Sequence, residues 1–177
     1  MSMDSLEDER QTGDERVRDR HFAEIILSET LSQLSDVHPF TIVEPDDTVS
    51  TAVEAMISSR VGCVLIMDSS QLLGLFSERD VLLKVVARGL DAATIAVSDV
   101  MTSDPECLQH DDEIAYALNK MAVGGYRHVP ILKDDGIPEA IVSMRDIVNY
   151  IVQFYPEEIL ALPDSPRGNI TKQREGA

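Results

Sequence analysis

The chain carries few positive charges for its size. Its 177 residues include 15 lysines and arginines against 32 aspartates and glutamates, a formal net charge of −17. A surface with this balance repels a phosphate backbone, which argues against a general DNA- or RNA-binding protein. A small anionic ligand would need a local cluster of cations, so the position of each basic residue is informative.

Long apolar runs are also missing. Val61–Met67 is about the longest, far short of the ~20 residues that span a bilayer. The first 20 residues carry charges of both signs and lack the basic start and apolar stretch of a signal peptide. We therefore expect a cytoplasmic protein without a membrane segment.

Cysteine is scarce, with only Cys63 and Cys107 in the chain. They stand 44 residues apart in apolar segments and lack the nearby Cys and His partners of a zinc site. We interpret both as small buried hydrophobic residues and expect no metal cofactor.

What the sequence does contain is an internal repeat. A shift of 65 residues aligns six residues of the first half with identical or similar residues of the second, and a shift of 66 aligns three more. The change of shift falls near 69–71 and 134–136, where a turn can absorb one residue. Two copies of one unit explain this pattern. The aligned pairs are Asp46/Asp111, Asp47/Asp112, Ala52/Ala117, Met56/Met121, Val64/Val129, Ile66/Ile131, Ser77/Ser143, Arg79/Arg145 and Asp80/Asp146.

Each copy has the same order of hydrophobic patterns. A helical face, as in Val49, Ala52 and Met56, is followed by two short apolar runs typical of buried strands and by a second helix. Short strands around 40–43 and 107–109 precede the first helices. Gly89 and Pro156 are predicted to end the second helices.

This order predicts an α/β (α+β) fold of two β-α-β-β-α repeats, packed through their sheets with pseudo-two-fold symmetry and preceded by an N-terminal helix. That amphipathic helix would contain Phe22, Ile25, Ile26, Leu31 and Leu34. The cleft between the repeats is the natural ligand site. The predicted ranges are 1–35 for a charged tail and the helix, 36–90 for the first repeat, 91–97 for a linker, 98–155 for the second repeat and 156–177 for a C-terminal tail.

The sequence resembles a tandem pair of cystathionine beta-synthase (CBS) domains, also called a Bateman module. The resemblance rests on GLFSERDV (74–81), AIVSMRDI (140–147), VSDVMT (97–102) and YRHVPIL (126–132), in register in both copies. It implies a non-catalytic regulatory module that binds an adenosine-containing ligand between the copies and often dimerises. AMP, ADP, ATP, S-adenosylmethionine and NAD share that adenosine.

The Ser-x-x-Asp motif permits two interpretations. Ser77 with Asp80, and Ser143 with Asp146, can form capping boxes at helix starts. A carboxylate held there also offers two acceptor oxygens to the paired hydroxyls of a ribose, which the family resemblance favours.

Arg127, His128 and Arg145 are the candidate phosphate ligands of the second copy. Arg127 and His128 are either ordinary flanking residues of a strand or a source of positive charge for a bound phosphate. In the first copy Gly62 and Cys63 stand in their place and leave Ser77, Arg79 and Asp80, so we predict unequal sites. Ala140 replaces the glycine found at Gly74, which could narrow the approach of a ligand. Pro130 cannot donate to a sheet and should lie at an edge or irregular point.

Two other functions stay open. Asp111 and Asp112 beside His110 could form an acid-base cluster, but their place before a helix favours a capping role. The sequence has no glycine-rich phosphate loop or nucleophile elbow. We therefore expect a regulatory module rather than an enzyme, a homodimer acting on a partner protein in trans, with a ligand-free interaction adaptor as the alternative.

Overall fold

The computed structural model describes residues 27–34 and 40–153. The first repeat contains strand β1 (Ile42–Val43), helix α1 (Val49–Ser59) and strands β2 (Cys63–Asp68) and β3 (Gln71–Ser77). A helical segment follows in three parts, an α-turn at Glu78–Asp80, a π-helical stretch at Val81–Val85 and a 3-10 turn at Val86–Arg88. We refer to the three parts together as helix α2.

The second repeat begins after a 3-10 turn at Val97–Asp99 and the short strand β4 (Thr102–Ser103). It contains helix α3 (Ile114–Gly124), strands β5 (His128–Leu132) and β6 (Pro138–Ser143), and helix α4 (Met144–Val152). The predicted order of helices and strands is confirmed except at 107–109, where the structure has no strand. The four hairpin strands end within one residue of the apolar runs 63–67, 72–76, 128–132 and 137–142.

The strands form two sheets, ordered β1-β2-β3-β4 and β5-β6. Strands β2 and β3 pair antiparallel, as do β5 and β6, and β1 runs parallel to β2. The register shifts between Ile66 and Met67 in the first repeat and between Ile131 and Leu132 in the second. The repeats therefore share even the irregular point of their hairpins.

Pro130 explains one difference between the sheets. In the first repeat the N–H of Leu65 donates to the carbonyl of Thr41 and helps to pair β1 with β2. Pro130 occupies the position of Leu65 and has no N–H to donate, so the predicted strand at 107–109 is reduced to a single bridge at Leu108. The expectation that Pro130 lies at an irregular point of pairing agrees with this geometry.

Three buried clusters hold the fold together. One lies inside each repeat, and the third contains residues of both repeats, among them Leu65, Leu75 and Ile141. This third cluster joins the two sheets. The repeats thus pack through their sheets, as the sequence predicts.

The segment that precedes each repeat packs on the other repeat. Leu31 and Leu34 belong to the core of the second repeat, whereas Val97 and Val100 belong to the core of the first. These pairs are 66 residues apart, so the exchange obeys the internal symmetry. The segment 91–97, predicted as a linker, therefore contributes to a core.

The predicted N-terminal helix is wrong in its second half. Thr30 is extended, with φ −92° and ψ 163°, and bridges to Glu113, while Leu31 lies in a 3-10 turn. The N–H of Leu31 donates to the carbonyl of Asp112 at 2.9 Å, so pairing with the second repeat draws this segment out of a helix. Phe22, Ile25, Ile26 and Pro156 lie outside the described residues. Gly89 ends α2 as predicted, with a φ of 65°.

Candidate functional site

A cleft of about 1230 Å³ lies between the two repeats. Its walls include the starts of α2 and α4 and the ends of α1 and α3 that face them. All eight residues that the sequence singles out for ligand binding line it. They are Ser77, Arg79, Asp80, Arg127, His128, Ser143, Arg145 and Asp146. We define the first half-site as Ser77, Arg79 and Asp80, and the second half-site as the other five residues.

A capping box begins α2 in the first half-site. The N–H and the hydroxyl of Ser77 donate to Oδ2 of Asp80 at 2.9 and 2.7 Å, and the N–H of Asp80 donates back to Oγ of Ser77 at 3.4 Å. This exchange satisfies N–H groups that a helix start leaves without partners.

The second half-site repeats this arrangement at the start of α4. The N–H of Ser143 donates to Oδ2 of Asp146 at 2.7 Å, and the N–H of Asp146 donates to Oγ of Ser143 at 3.3 Å. Asp146 is only 4% exposed, and it is the one charged residue in the buried set of the described chain. The capping interpretation of both motifs is therefore confirmed, and each box also faces the cleft.

Lys84 distinguishes the first half-site. Its Nζ lies 2.9 Å from Oδ1 of Asp80 and donates to Oγ1 of Thr102 at 2.9 Å. Asp80 thus holds Ser77 with one oxygen and Lys84 with the other. Sequence reasoning missed Lys84, although its position four residues after Asp80 on a predicted helix is the spacing of a helical ion pair.

Arg79 crosses from the first repeat to the second. Its guanidinium donates to the carbonyl of Gly125, the residue that ends α3, at 2.6 Å. The assignment of Arg79 to the first copy alone is therefore incomplete, because its charge lies beside the loop that leads to Arg127. Arg79 therefore links the two repeats at the cleft.

Arg127 is exposed and His128 is half-buried at the start of β5. Burial, followed by the charge of Arg127, lowers the pKa of His128 below its ordinary value, whereas Glu78 and Asp146 act in the opposite direction. His128 is therefore neutral near pH 7 and offers hydrogen bonds rather than charge. The expectation that His128 adds positive charge to a phosphate site is not supported by this direction.

A steric constraint applies at Gly62, the position equivalent to Arg127. A methyl group added at Gly62 would lie 3.1 Å from Cε1 of His128. Gly62 is the residue of the first repeat that corresponds to Arg127 of the second. A side chain at position 62 would face the His128 ring. Such a side chain would require the His128 ring to move.

Arginines are concentrated around the cleft. Of the five arginines among residues 27–34 and 40–153, four line it, Arg60, Arg79, Arg127 and Arg145. Only Arg88 in those ranges lies elsewhere. In a chain of net charge −17, this is a local cluster of cations suited to an anionic ligand.

Carboxylates and aromatic rings complete the walls. Glu78, Asp104 and Glu106 also line the cleft, and Glu106 forms an ion pair with Lys120. Phe40 and Tyr126 supply rings on which a planar base could stack. The lining of the cleft thus combines aromatic rings, carboxylates and arginines.

The sequence-based concern that Ala140 narrows the approach of a ligand does not apply to this cleft. Neither Gly74 nor Ala140 lines it, and a methyl group at Gly74 would lie 2.4 Å from Sδ of Met101. Gly74 therefore allows the close approach of β4, with which it pairs.

The proposed acid-base cluster is not assembled. Asp112 accepts from the N–H of Gln109 at 2.7 Å and so closes a turn ahead of α3, whose N-cap is Glu113, and His110 lies 3.3 Å from Glu139 instead.

Cys63 is buried and Cys107 is half-buried. Burial, reinforced by nearby carboxylates, raises the pKa of Cys63 to about 12 and that of Cys107 to about 11. Both are therefore inert thiols at neutral pH. Within the described part of the chain no three His, Cys, Asp or Glu residues are grouped so as to hold a metal ion. None of the helices in 27–34 and 40–153 has the length and apolar character that a membrane crossing requires.

Comparison with known proteins identifies the repeats. The profile of the CBS domain matches residues 34–87 and again 97–153. A CBS domain-containing protein of Arabidopsis thaliana is 32% identical over 131 residues, 74% of this chain and 24% of that protein. The chain spans only 24%, 20% and 17% of the lengths of three curated relatives that it matches.

Solved structures share the fold. A CBS-domain containing protein from Agrobacterium tumefaciens has a TM-score of 0.64 and 27% identity, over 69% of this chain and 98% of that one. A CBS domain protein from Pyrobaculum aerophilum, complexed with AMP, has a TM-score of 0.62 and 22% identity, over 71% of this chain and 99% of that one.

Proposed function

Since the chain belongs to the CBS domain family, we propose that it is a regulatory module that binds an adenosine-containing nucleotide in the cleft between its repeats. The observation that carries this proposal is the convergence of both Ser-Asp pairs and four arginines on one cleft. Two structural relatives solved with AMP, the Pyrobaculum aerophilum protein and the protein CBSX2, share this fold and lend support.

The second half-site is the proposed nucleotide site. Asp146 receives the ribose hydroxyls, and Arg127 and Arg145 face the phosphate. Neutral His128 adds a hydrogen bond. AMP and ATP are the preferred ligands, with ADP, S-adenosylmethionine and NAD as members of the same class. Binding of one of these would report cellular energy or methyl-donor status to a partner protein in trans.

A screen by thermal shift tests this function. We expect AMP, ADP, ATP, S-adenosylmethionine or NAD to raise the melting temperature without being consumed when the products are followed by chromatography. Turnover would identify an enzyme instead. A melting temperature unchanged by every compound would favour an interaction adaptor, in which the arginine cluster binds a protein.

We also propose that the chain forms a homodimer. Helices α2 and α4 expose Leu82 and Val148, at 59% and 48%, in equivalent positions 66 residues apart. Exposed apolar helix faces in both repeats are typical of a subunit interface. Light scattering should give the mass of a dimer, and a monomeric mass at micromolar concentration would contradict the proposal. A truncation that probes the N-terminal segment should stop at residue 26, because Leu31 and Leu34 belong to the second core.

A further inference from the structure

Arg79 holds a turn of the opposite repeat. It lies in the first turn of α2, and its guanidinium donates to the carbonyl of Gly125, at the end of α3, at 2.6 Å. Both residues line the cleft. Because the donor is charged, this hydrogen bond is stronger than one between neutral groups. We call this bond the inter-repeat tie.

The inter-repeat tie acts on the turn that carries Arg127. This turn consists of residues 125–127, between α3 and β5. Gly125 has a φ of 70° and follows another glycine, so the backbone here has many accessible conformations and loses entropy when it is ordered. The Tyr126 ring packs against the core of the second repeat. Arg79 fixes the other part of the turn, from which Arg127 lines the cleft.

The equivalent turn of the first repeat forms without such a bond. Arg60 ends α1 in the same left-handed conformation as Gly125, with a φ of 56°. Arg145 is the counterpart of Arg79 in the second repeat. Among the residues that the structure describes, the Arg145 side chain makes no hydrogen bond to Arg60. The shape that the two repeats share therefore does not require the tie, which occurs beside the turn that carries a candidate phosphate ligand.

We propose that Arg79 is a positioning residue for nucleotide binding, which fixes the turn 125–127 so that Arg127 meets the phosphate. This inference rests on the proposed function and gives Arg79 a role through Arg127 rather than a contact with the ligand. Without the tie, the turn would have to be ordered when the phosphate binds, and such ordering reduces affinity. With the tie in place, the turn is ordered before the ligand arrives.

A double-mutant cycle, measured by calorimetric titration, tests this role. Arg79→Met keeps the aliphatic stem and removes the donor, while Arg127→Ala removes the proposed phosphate ligand. We expect Arg79→Met to weaken AMP binding by about 10-fold and to change adenosine binding little. In a chain that already carries Arg127→Ala, Arg79→Met should weaken AMP binding by less than about 2-fold. Arg88→Ala is the matched control and should not change AMP binding, since Arg88 ends α2 outside the cleft.

Hydrogen exchange measures the positioning without any ligand. Peptides that cover 125–127 should exchange faster in Arg79→Met than in the wild type, because amide exchange reports local opening of the backbone. Peptides that cover the equivalent turn 60–62 should exchange at the same rate in both chains. Unchanged exchange at 125–127 would contradict the positioning role.

The outcomes distinguish this inference from the proposed function. A loss of about 10-fold that persists beside Arg127→Ala would show that Arg79 contacts the phosphate itself. Equal losses for AMP and adenosine would show a general structural role. Either result would overturn the positioning role and leave nucleotide binding intact, whereas absence of AMP binding by the wild type would overturn both. If Arg79→Met does not fold by circular dichroism, Arg79→Ala also removes the donor and takes its place in the cycle, with the same expected result.

Discussion

The two half-sites share their helix caps and differ in their charges. Both use a serine and an aspartate three residues later to begin a helix at the cleft. The first half-site joins its aspartate to Lys84, while the second presents Arg127 and Arg145 on the cleft wall. The cap is therefore the structural part that the two half-sites share, and the cations around it distinguish them.

The largest expected effect distinguishes Asp146 from Asp80. Asp146→Asn should weaken the binding of AMP and of adenosine alike, because both ligands carry the ribose. A charge-assisted bond lost at a buried site costs ~1.5 to 3 kcal/mol, which corresponds to roughly 10- to 150-fold in affinity. Asp80→Asn, the equivalent change in the first repeat, should produce a much smaller loss.

Calorimetric titration of both variants with both ligands measures this difference. Equal losses in Asp146→Asn and Asp80→Asn would remove the distinction between the half-sites. Unchanged affinities in Asp146→Asn would leave that carboxylate as a helix cap alone.

Arg127→Ala should distinguish the binding of the phosphate from the binding of the nucleoside. We expect AMP affinity to fall by roughly 10-fold or more and adenosine affinity to change little, because only AMP offers a phosphate to the guanidinium. Arg88→Ala is the matched control, since Arg88 is an exposed arginine outside the cleft. An equal loss for AMP and adenosine in Arg127→Ala would refute the phosphate assignment.

The fold was predictable from the sequence because its cause is a repeated pattern. Positions such as Ala52 and Ala117 recur with the helical and strand periodicities that burial demands, and the structure buries both completely. The crossing of Leu31 and Val97 to the opposite repeat was not predictable, because a short apolar segment does not specify which of two similar cores it enters.

The members of the site were also predictable, but their connections were not. Ser77 and Asp80 are local in sequence, so their bonds follow from the helix start. The bond from Arg79 to Gly125 spans 46 residues and depends on how the two repeats pack. The position of the His128 ring beside Gly62 has the same origin, and it leaves little room for a side chain at that point.

Gly62→Ala should expose that steric difference. The added methyl group would approach the His128 ring to 3.1 Å, so the ring must shift, and we expect a loss of about 1 kcal/mol in the free energy of unfolding. In a chain that already carries His128→Ala, Gly62→Ala should lower the free energy of unfolding by much less. Denaturant unfolding of the two single variants and the double variant measures the coupling, and strictly additive effects would show that the two positions do not compete for space.

The smallest expected effect is a pH dependence from His128. Its pKa is lowered in the folded chain, so the unfolded chain binds the proton more readily as the pH falls below the ordinary histidine value of about 6.5. Its contribution to stability is complete above that value and is lost toward the lowered pKa.

Denaturant unfolding between about pH 7 and about pH 5 checks this sign. His128→Gln should lose stability less steeply than the wild type as the pH falls. A steeper fall in the variant would show that protonation of His128 stabilises the folded chain.

The most direct test of the account is a crystal structure of the chain grown with AMP. We predict AMP between the repeats, with its ribose hydroxyls on Asp146 and its phosphate beside Arg127 and Arg145. AMP bound only through Asp80, or a cleft without AMP at saturating concentration, would contradict it.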